Sequence, residues 1–260
     1  MNRNILNEIV ERNRTALEQK KQDVPFEEVA ALAASAPECA SFTEAFRDPG
    51  IHVIAELKKA SPSKGMIREN LDVPVLAESL KDAGAAALSV LTEPFYFKGG
   101  LENLRLASEA VSIPLLRKDF IFDPYQIIEA KVNGASAILL IAAILSADEF
   151  KRLLDFAHRY SLAVLGEAHT ESELEIASSA DLVGVNARDL KTFSTSLERS
   201  AELIATLKSC GKPVIAESAV RTHEDILMLR NAGAAGFLIG ETLMRADDLG
   251  AKLKELLQCC

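Results

Sequence analysis

Val132-Asn133-Gly134-Ala135, followed almost directly by Ala137-Ile138-Leu139-Leu140-Ile141, carries the fold in miniature. The glycine stands where a helix would end in the left-handed C′ conformation, and the apolar run after it is short and nearly continuous. The same step recurs at Asp82-Ala83-Gly84-Ala85 and Asn231-Ala232-Gly233-Ala234, and without glycine at Ser178-Ser179-Ala180-Asp181. Working outward from these steps, eight strands are predicted: His52 to Leu57, Ala86 to Leu91, Ile113 to Lys118, Ala137 to Ile141, Ala163 to Glu167, Leu182 to Asn186, Pro213 to Glu217 and Gly236 to Gly240. Helical patterns fill the gaps at Val73 to Ala83, Leu101 to Val111, Pro124 to Val132, Ala147 to Arg159, Glu171 to Ser178, Leu197 to Lys208 and His223 to Asn231, and an eighth runs near Leu249 to Leu257. Short apolar strands alternating with amphipathic helices indicate a parallel sheet buried on both faces. No long linker separates any pair of units, so the α/β class expected is a closed (β/α)8 TIM barrel, not an open doubly wound sheet. Residues 1–260 read as a single barrel domain. Residues 1–49 form a helical extension of it, with Ile5, Ile9 and Leu17, then Val29, Ala30 and Leu32, marking two short helices that cover one end or lie beside the mouth and look structural.

In such a barrel the functional site is built at the C-terminal strand ends. Those ends carry Glu56 and Lys58, Thr92 and Glu93, Lys118 and Asp119, Glu167, Asn186 and Arg188, Glu217 and Ser218, and Gly240 and Glu241. Charged residues ending several different buried strands converge on one mouth, which solvated surface does not explain. Lysines and glutamates together offer anion binding and proton transfer. The four histidines, His52, His158, His169 and His223, are scattered, so no metal site is expected, and no Ser or Cys has a positioned His partner. Gly240 in the last loop has two readings: close backbone approach to an oxyanion, or simple strand termination. Lys59 and Lys64 read as solvated, Phe95 and Tyr96 as packing.

Composition narrows the partners. The chain has 260 residues, 48% hydrophobic and 26% charged, with a net charge of −9. Its length suits one barrel or two small domains. No Lys/Arg run is long enough to track a phosphate backbone, so no nucleic-acid partner is expected, and any anionic ligand needs cations gathered locally. Cys39, Cys210, Cys259 and Cys260 have neither zinc-ligand spacing nor a disulfide framework; the terminal two look frayed and incidental, and a reducing cytoplasm fits. No apolar stretch reaches the roughly 18 residues needed to span a membrane, and Met1-Asn2-Arg3-Asn4 is not followed by an apolar signal core. A monomer or weak homodimer is expected.

The segment from Val53 to Gly65, Val-Ile-Ala-Glu-Leu-Lys-Lys-Ala-Ser-Pro-Ser-Lys-Gly, closely resembles the signature of indole-3-glycerol-phosphate synthases. Leu88 to Glu93, Pro114 to Phe120, Val185-Asn186-Ala187-Arg188-Asp189-Leu190 and Ile215 to Ser218 extend the resemblance over essentially the whole chain. It implies a lyase of tryptophan, hence aromatic amino-acid, biosynthesis: a decarboxylase that closes the indole ring of 1-(2-carboxyphenylamino)-1-deoxyribulose 5-phosphate with loss of carbon dioxide and water and no cofactor. It also implies residue roles. Lys118 matches the general acid, Lys58 the lysine that holds the substrate carboxylate and is discussed as a later proton donor, and Glu167 the carboxylate of proton removal or exchange. Glu56, Asn186, Arg188, Glu217 and Ser218 match residues around the ring, carboxylate and sugar hydroxyls. Ser61 and the Gly240-Glu241 backbone match the phosphate cradle, while Phe97, Phe120 and Leu139 match the apolar walls. The alternatives are another phosphate-binding barrel such as phosphoribosylanthranilate isomerase, which needs a Cys and Asp pair, or a non-catalytic ligand-binding barrel.

Four further expectations follow. Ala219 stands where the family usually has Gly after Glu-Ser, which is harmless at φ < 0 and costs about 1 kcal/mol or more at φ > 0. Two lysines in one mouth should depress at least one lysine pKa, limited by nearby carboxylates. Phosphate contact should be made mainly by backbone, no arginine being expected at that end. The loop from Lys59 to Ile67 should be mobile until ligand orders it.

Overall fold

The computed structural model describes residues 5–188 and 194–258. Met1 to Asn4, Asp189 and Leu190 of the quoted motif, and Cys259 and Cys260 lie outside the described residues. Eight parallel strands close into a barrel: β1 (His52–Leu57), β2 (Ala87–Leu91), β3 (Leu115–Lys118), β4 (Ala137–Ile141), β5 (Ala163–Ala168), β6 (Leu182–Asn186), β7 (Val214–Glu217) and β8 (Gly236–Ile239). Each pairs with its successor, and β8 returns to β1 with Gly236 opposite His52. All five residues of β2 and of β4 are buried, as a sheet covered on both faces requires.

Helices follow the strands: α3 (Val73–Asp82), α4 (Leu101–Ala110), α5 (Pro124–Val132), α6 (Ala147–Arg159), α7 (Glu171–Ala177), α8 (Leu197–Thr206) and α9 (His223–Ala232), then a short α10 (Glu241–Met244) and α11 (Leu249–Leu257). Their starts are written locally. Ser146 and Glu149 form a capping box on α6, Thr222 and Asp225 another on α9, and Asp123 caps α5 ahead of Pro124. Their ends follow the glycine steps, with Gly84, Gly134 and Gly233 at φ of 100°, 81° and 125°. The Ser178 step has no such glycine and stays right-handed.

The extension serves both ends of the barrel. It forms α1 (Ile5–Asp23) and α2 (Phe26–Ala34), after which Phe42 and Phe46 are buried, their rings 5.4 Å apart. Phe46 fills the space beside Gly236, where a Cβ would come within 2.9 Å of its ring, and so plugs the N-terminal end. Ion pairs from Lys21 to Asp123 (2.6 Å) and from Lys20 to Glu129 fix α1 along α5. The start of α1 then reaches the opposite, C-terminal end, where Ile5, Leu6 and Ile9 enter the wall of the mouth.

Candidate active site

A cavity of about 790 Å³ opens at the C-terminal end of the strands, and every residue to which the resemblance assigns a role lines it, whereas Thr92 and Glu93 do not. Register brings the charged ends into one layer: Lys118 stands opposite Leu91, Ile141 opposite Glu167, and Asn186 opposite Glu217. At its centre Lys118 Nζ donates to Glu167 Oε2 at 2.9 Å and to Glu217 Oε2 at 2.6 Å. Gly184, next to Glu167 in the ladder, makes this possible, because a Cβ there would overlap Glu217 Oε1. Lys58 pairs separately with Glu56, and Gly240 makes room for that pair, since its own Cβ would overlap Glu56 Oε1 and lie 3.0 Å from Lys58 Nζ. Gly240 thus supplies space for the Glu56–Lys58 pair, a role beyond ending a strand.

Electrostatics distinguish the three central groups. Burial opposes charge on Lys118, but attraction from Glu167, Glu217 and Glu56 outweighs it and raises its pKa above the ordinary lysine value. The expected depression therefore fails at Lys118: the carboxylates, not the second lysine, dominate its surroundings. Burial also pushes Glu167 up, but Lys118 and His169 win and hold it well below the ordinary carboxylate range. Glu217 goes the other way, to about 8, because burial and the nearby Glu167 charge outweigh Lys118. Burial and the neighbouring Glu167 charge thus favour the protonated form of Glu217. Glu217 Oε1 has no protein hydrogen-bond partner.

Around this centre the walls are of two kinds. Phe97 and Phe120 face each other with centroids 6.1 Å apart, and with Leu139 they form an apolar slot. The loop carrying Phe97 is folded around Glu93, whose carboxylate accepts from Phe95, Tyr96 and Phe97 N–H groups at 3.0, 2.7 and 2.9 Å. Phe95 and Tyr96 turn away to α1, under Arg12 and onto Glu8. On the opposite side the β7 and β8 loops supply Ser218, Ala219, Gly240 and Glu241, and Lys64, Arg221 and Arg245 also line that end. The expected lack of arginine there is corrected: both arginines follow the loops and are brought in by folding. Lys64 is exposed, as expected, and lies 3.7 Å from Glu241.

The loop after β1 is also more organised than its turn chemistry suggests. Ala60–Ser61 and Gly65–Met66 form an antiparallel hairpin, with Gly65 at φ 62°. Ala60 N–H donates to Phe97 O, and Arg68 at its base donates to the Met244 and Ala246 carbonyls. At its tip Ser63 is 3.4 Å from Arg188, which also lies 3.9 Å from Glu241.

Ala219 takes the costly option. It and Ser218 both have φ of 66°, in the left-handed region where a Cβ is strained. Ala219→Gly is expected to raise unfolding free energy by about 0.5–1 kcal/mol, the strain relieved exceeding the entropy that glycine adds. Urea denaturation of both proteins measures it, and a less stable Ala219→Gly contradicts the assignment.

An eight-stranded barrel with a buried lysine between two glutamates, an aromatic slot and a cationic rim defines a barrel enzyme that moves protons on an anionic aromatic substrate. The family described as Indole-3-glycerol phosphate synthase matches residues 6–256. Relatives named Indole-3-glycerol phosphate synthase include those of Koribacter versatilis, 54% identical with 80% of each chain covered, and Carboxydothermus hydrogenoformans, 44% identical with 97% and 99% covered. The chain belongs to the indole-3-glycerol phosphate synthase family, carboxy-lyases of tryptophan biosynthesis. The fold alone is shared with a tryptophan synthase alpha-subunit from Pyrococcus furiosus (TM-score 0.62, 16% identity, covering 80% of this chain and 98% of that one) and with a 3-hexulose-6-phosphate synthase (TM-score 0.63, 15% identity, covering 80% and 98%).

Ile5, Leu6 and Ile9 wall the cavity, so of the two expected placements the start of α1 takes the one beside the mouth, and it is not merely structural there. Gly184 acts by making room for Glu217, far along the chain. Among the described residues no group of His, Cys, Asp and Glu could hold a metal.

Proposed function

We propose that this cavity closes the indole ring of 1-(2-carboxyphenylamino)-1-deoxyribulose 5-phosphate, with Lys118 as general acid. The observation that supports it most is the Lys118 ammonium, held by two buried glutamates beside the Phe97 and Phe120 slot. In the first step the aryl carbon bearing the carboxylate bonds to the ketone carbon, and the carbonyl electron pair moves to oxygen, which takes a proton from Lys118. Carbon dioxide then leaves, its bonding pair returning to the ring. The hydroxyl departs as water with a proton from Lys58, and Glu167 removes the proton that completes the indole. Each step moves only protons and electron pairs within the substrate, so none calls for a cofactor.

Binding is divided among the walls. Phe97, Phe120 and Leu139 take the aryl ring; Glu56, Asn186, Glu217 and Ser218 surround the ring and the sugar hydroxyls; Lys58 and Arg188 hold the carboxylate. Ser61, Ala219, Gly240 and Glu241 offer the phosphate their backbone, with Arg221 and Arg245 adding charge. Arg188→Ala is expected to raise KM roughly tenfold or more with a smaller change in kcat, because the carboxylate is bound in the ground state as well. Steady-state kinetics reads the split; unchanged KM counts against the role. Turnover of the substrate, followed by indole fluorescence, tests the proposal as a whole, and no turnover by folded protein rejects it.

Residues 1–260 work, in this reading, as one barrel domain with residues 1–49 as its extension. Among the described residues the large exposed apolar side chains are spread over α2 (Phe26, Leu32), the hairpin after β1 (Met66), α3 (Val75) and α9 (Leu227, Met228), which supports a monomer or weak homodimer. Among the described residues no helix is long and apolar enough to cross a membrane. The family's biosynthetic role supports a cytoplasmic location and a small phosphorylated substrate as ligand.

A further inference from the structure

The chemistry on β5 continues past Glu167. Side chains alternate along a strand, so residue 169 projects on the same side as residue 167, one step nearer the mouth. His169 stands there, only 9% exposed. Its Nε2 lies 3.2 Å from Glu167 Oε1, and its Nδ1 lies 3.4 Å from Glu173 Oε2 on α7. Glu173 is itself anchored, accepting the His169 backbone N–H at 2.7 Å. Neither ring contact is aligned as a hydrogen bond, so both act as charge contacts. An ionised carboxylate only accepts, and a neutral imidazole carries one N–H, so carboxylates beside both nitrogens favour the doubly protonated ring.

We infer that His169 is a positioning residue for Glu167: its imidazolium holds Oε1, leaving Oε2 turned toward Lys118 and the cavity. This rests on the proton-accepting role proposed for Glu167. The groups around the pair are consistent with it. Glu167 meets Lys118 through its other oxygen, with Glu217 and Glu56 also around that ammonium. His169 meets Glu167 and Glu173, and across a side cavity of about 340 Å³ it shares walls with Arg199 and the uncharged Asn186. Burial opposes the imidazolium, but the two carboxylates outweigh it and raise its pKa to about 9. Without that cation Glu167 keeps one partner instead of two. Its Oε1 is then free to turn away, and its pKa moves up.

Two measurements test the inference. Nitrogen-15 shifts of the His169 ring in the unmodified protein at neutral pH should show both nitrogens protonated; a neutral tautomer overturns the inference, whether or not any variant folds. His169→Gln, checked for fold by circular dichroism and thermal midpoint, should lower kcat about tenfold with KM within about twofold. The acidic limb of its kcat profile should also move toward neutral pH, which a purely structural role would not produce. A folded His169→Gln with unchanged kcat and an unchanged acidic limb overturns the inference. Absence of turnover by the unmodified enzyme would instead reject the function proposed for the site, and the ring measurement would still report on His169.

Discussion

Lys118→Met is expected to lower kcat by about 10² to 10⁴ while KM changes little, the usual loss on removing a general acid. Methionine keeps much of the length and the apolar stem, so the barrel wall is preserved, but the proton is gone. The ketone oxygen becomes strongly basic only as the new bond forms, and Lys118 is therefore needed more in the transition state than in the bound substrate. Its raised pKa fits the role, because an acid must carry its proton before it can donate it, and an alkoxide is a stronger base than an amine. The sign is testable. A raised lysine pKa keeps the ammonium through neutral and mildly alkaline pH, so an alkaline limb near pH 8 or 9 belongs to Glu217 or His169, not Lys118. Steady-state kinetics of a folded Lys118→Met decides it: kcat within a few-fold of the unmodified enzyme removes Lys118 from the acid's place.

Glu167→Gln is expected to cost kcat a similar factor of about 10² to 10⁴. The amide has nearly the same shape and still accepts from Lys118, so KM should move little, but it takes no proton at working pH. The change has an electrostatic consequence as well. Glu217 titrates high partly because Glu167 is charged beside it, so removing that charge leaves Lys118 to stabilise Glu217 alone and draws the Glu217 pKa down. The kcat profile of the residual activity should therefore lose the acidic limb belonging to Glu167 and shift its remaining ionisation to lower pH. Retention of near-normal kcat would show that the final proton leaves to another base.

The barrel was legible because its instructions are local. A strand of a covered parallel sheet must be apolar along its length, a helix end needs a left-handed residue, and a helix start needs a capping oxygen; Ala137–Ile141, Gly134 and Ser146 each satisfy one of these within a few residues. The mouth was legible for the same reason, since the charged ends of several buried strands converge on the C-terminal opening, although Glu93 turns into its own loop instead. Which charges meet there was not. Lys118, Glu167 and Glu217 are 49 and 99 residues apart in the two pairings that Lys118 makes, and only barrel closure and the missing Cβ of Gly184 place both carboxylates on one ammonium.

Sequence by itself determined the order and kind of the elements, the face on which chemistry had to lie, and, through its long motif at Val53 to Gly65, the family. Only folding sets the direction of each ionisation: Lys118 is held charged, Glu167 is kept ionised and Glu217 is pushed toward its protonated form. It also decided that the first turns of α1 wall the cavity and that Ala219 bears a left-handed backbone. The physical reason is one of range. Propensity and hydrophobic period act over a few residues, whereas a pKa is set by every charge within several ångströms in space and by the water that folding has removed.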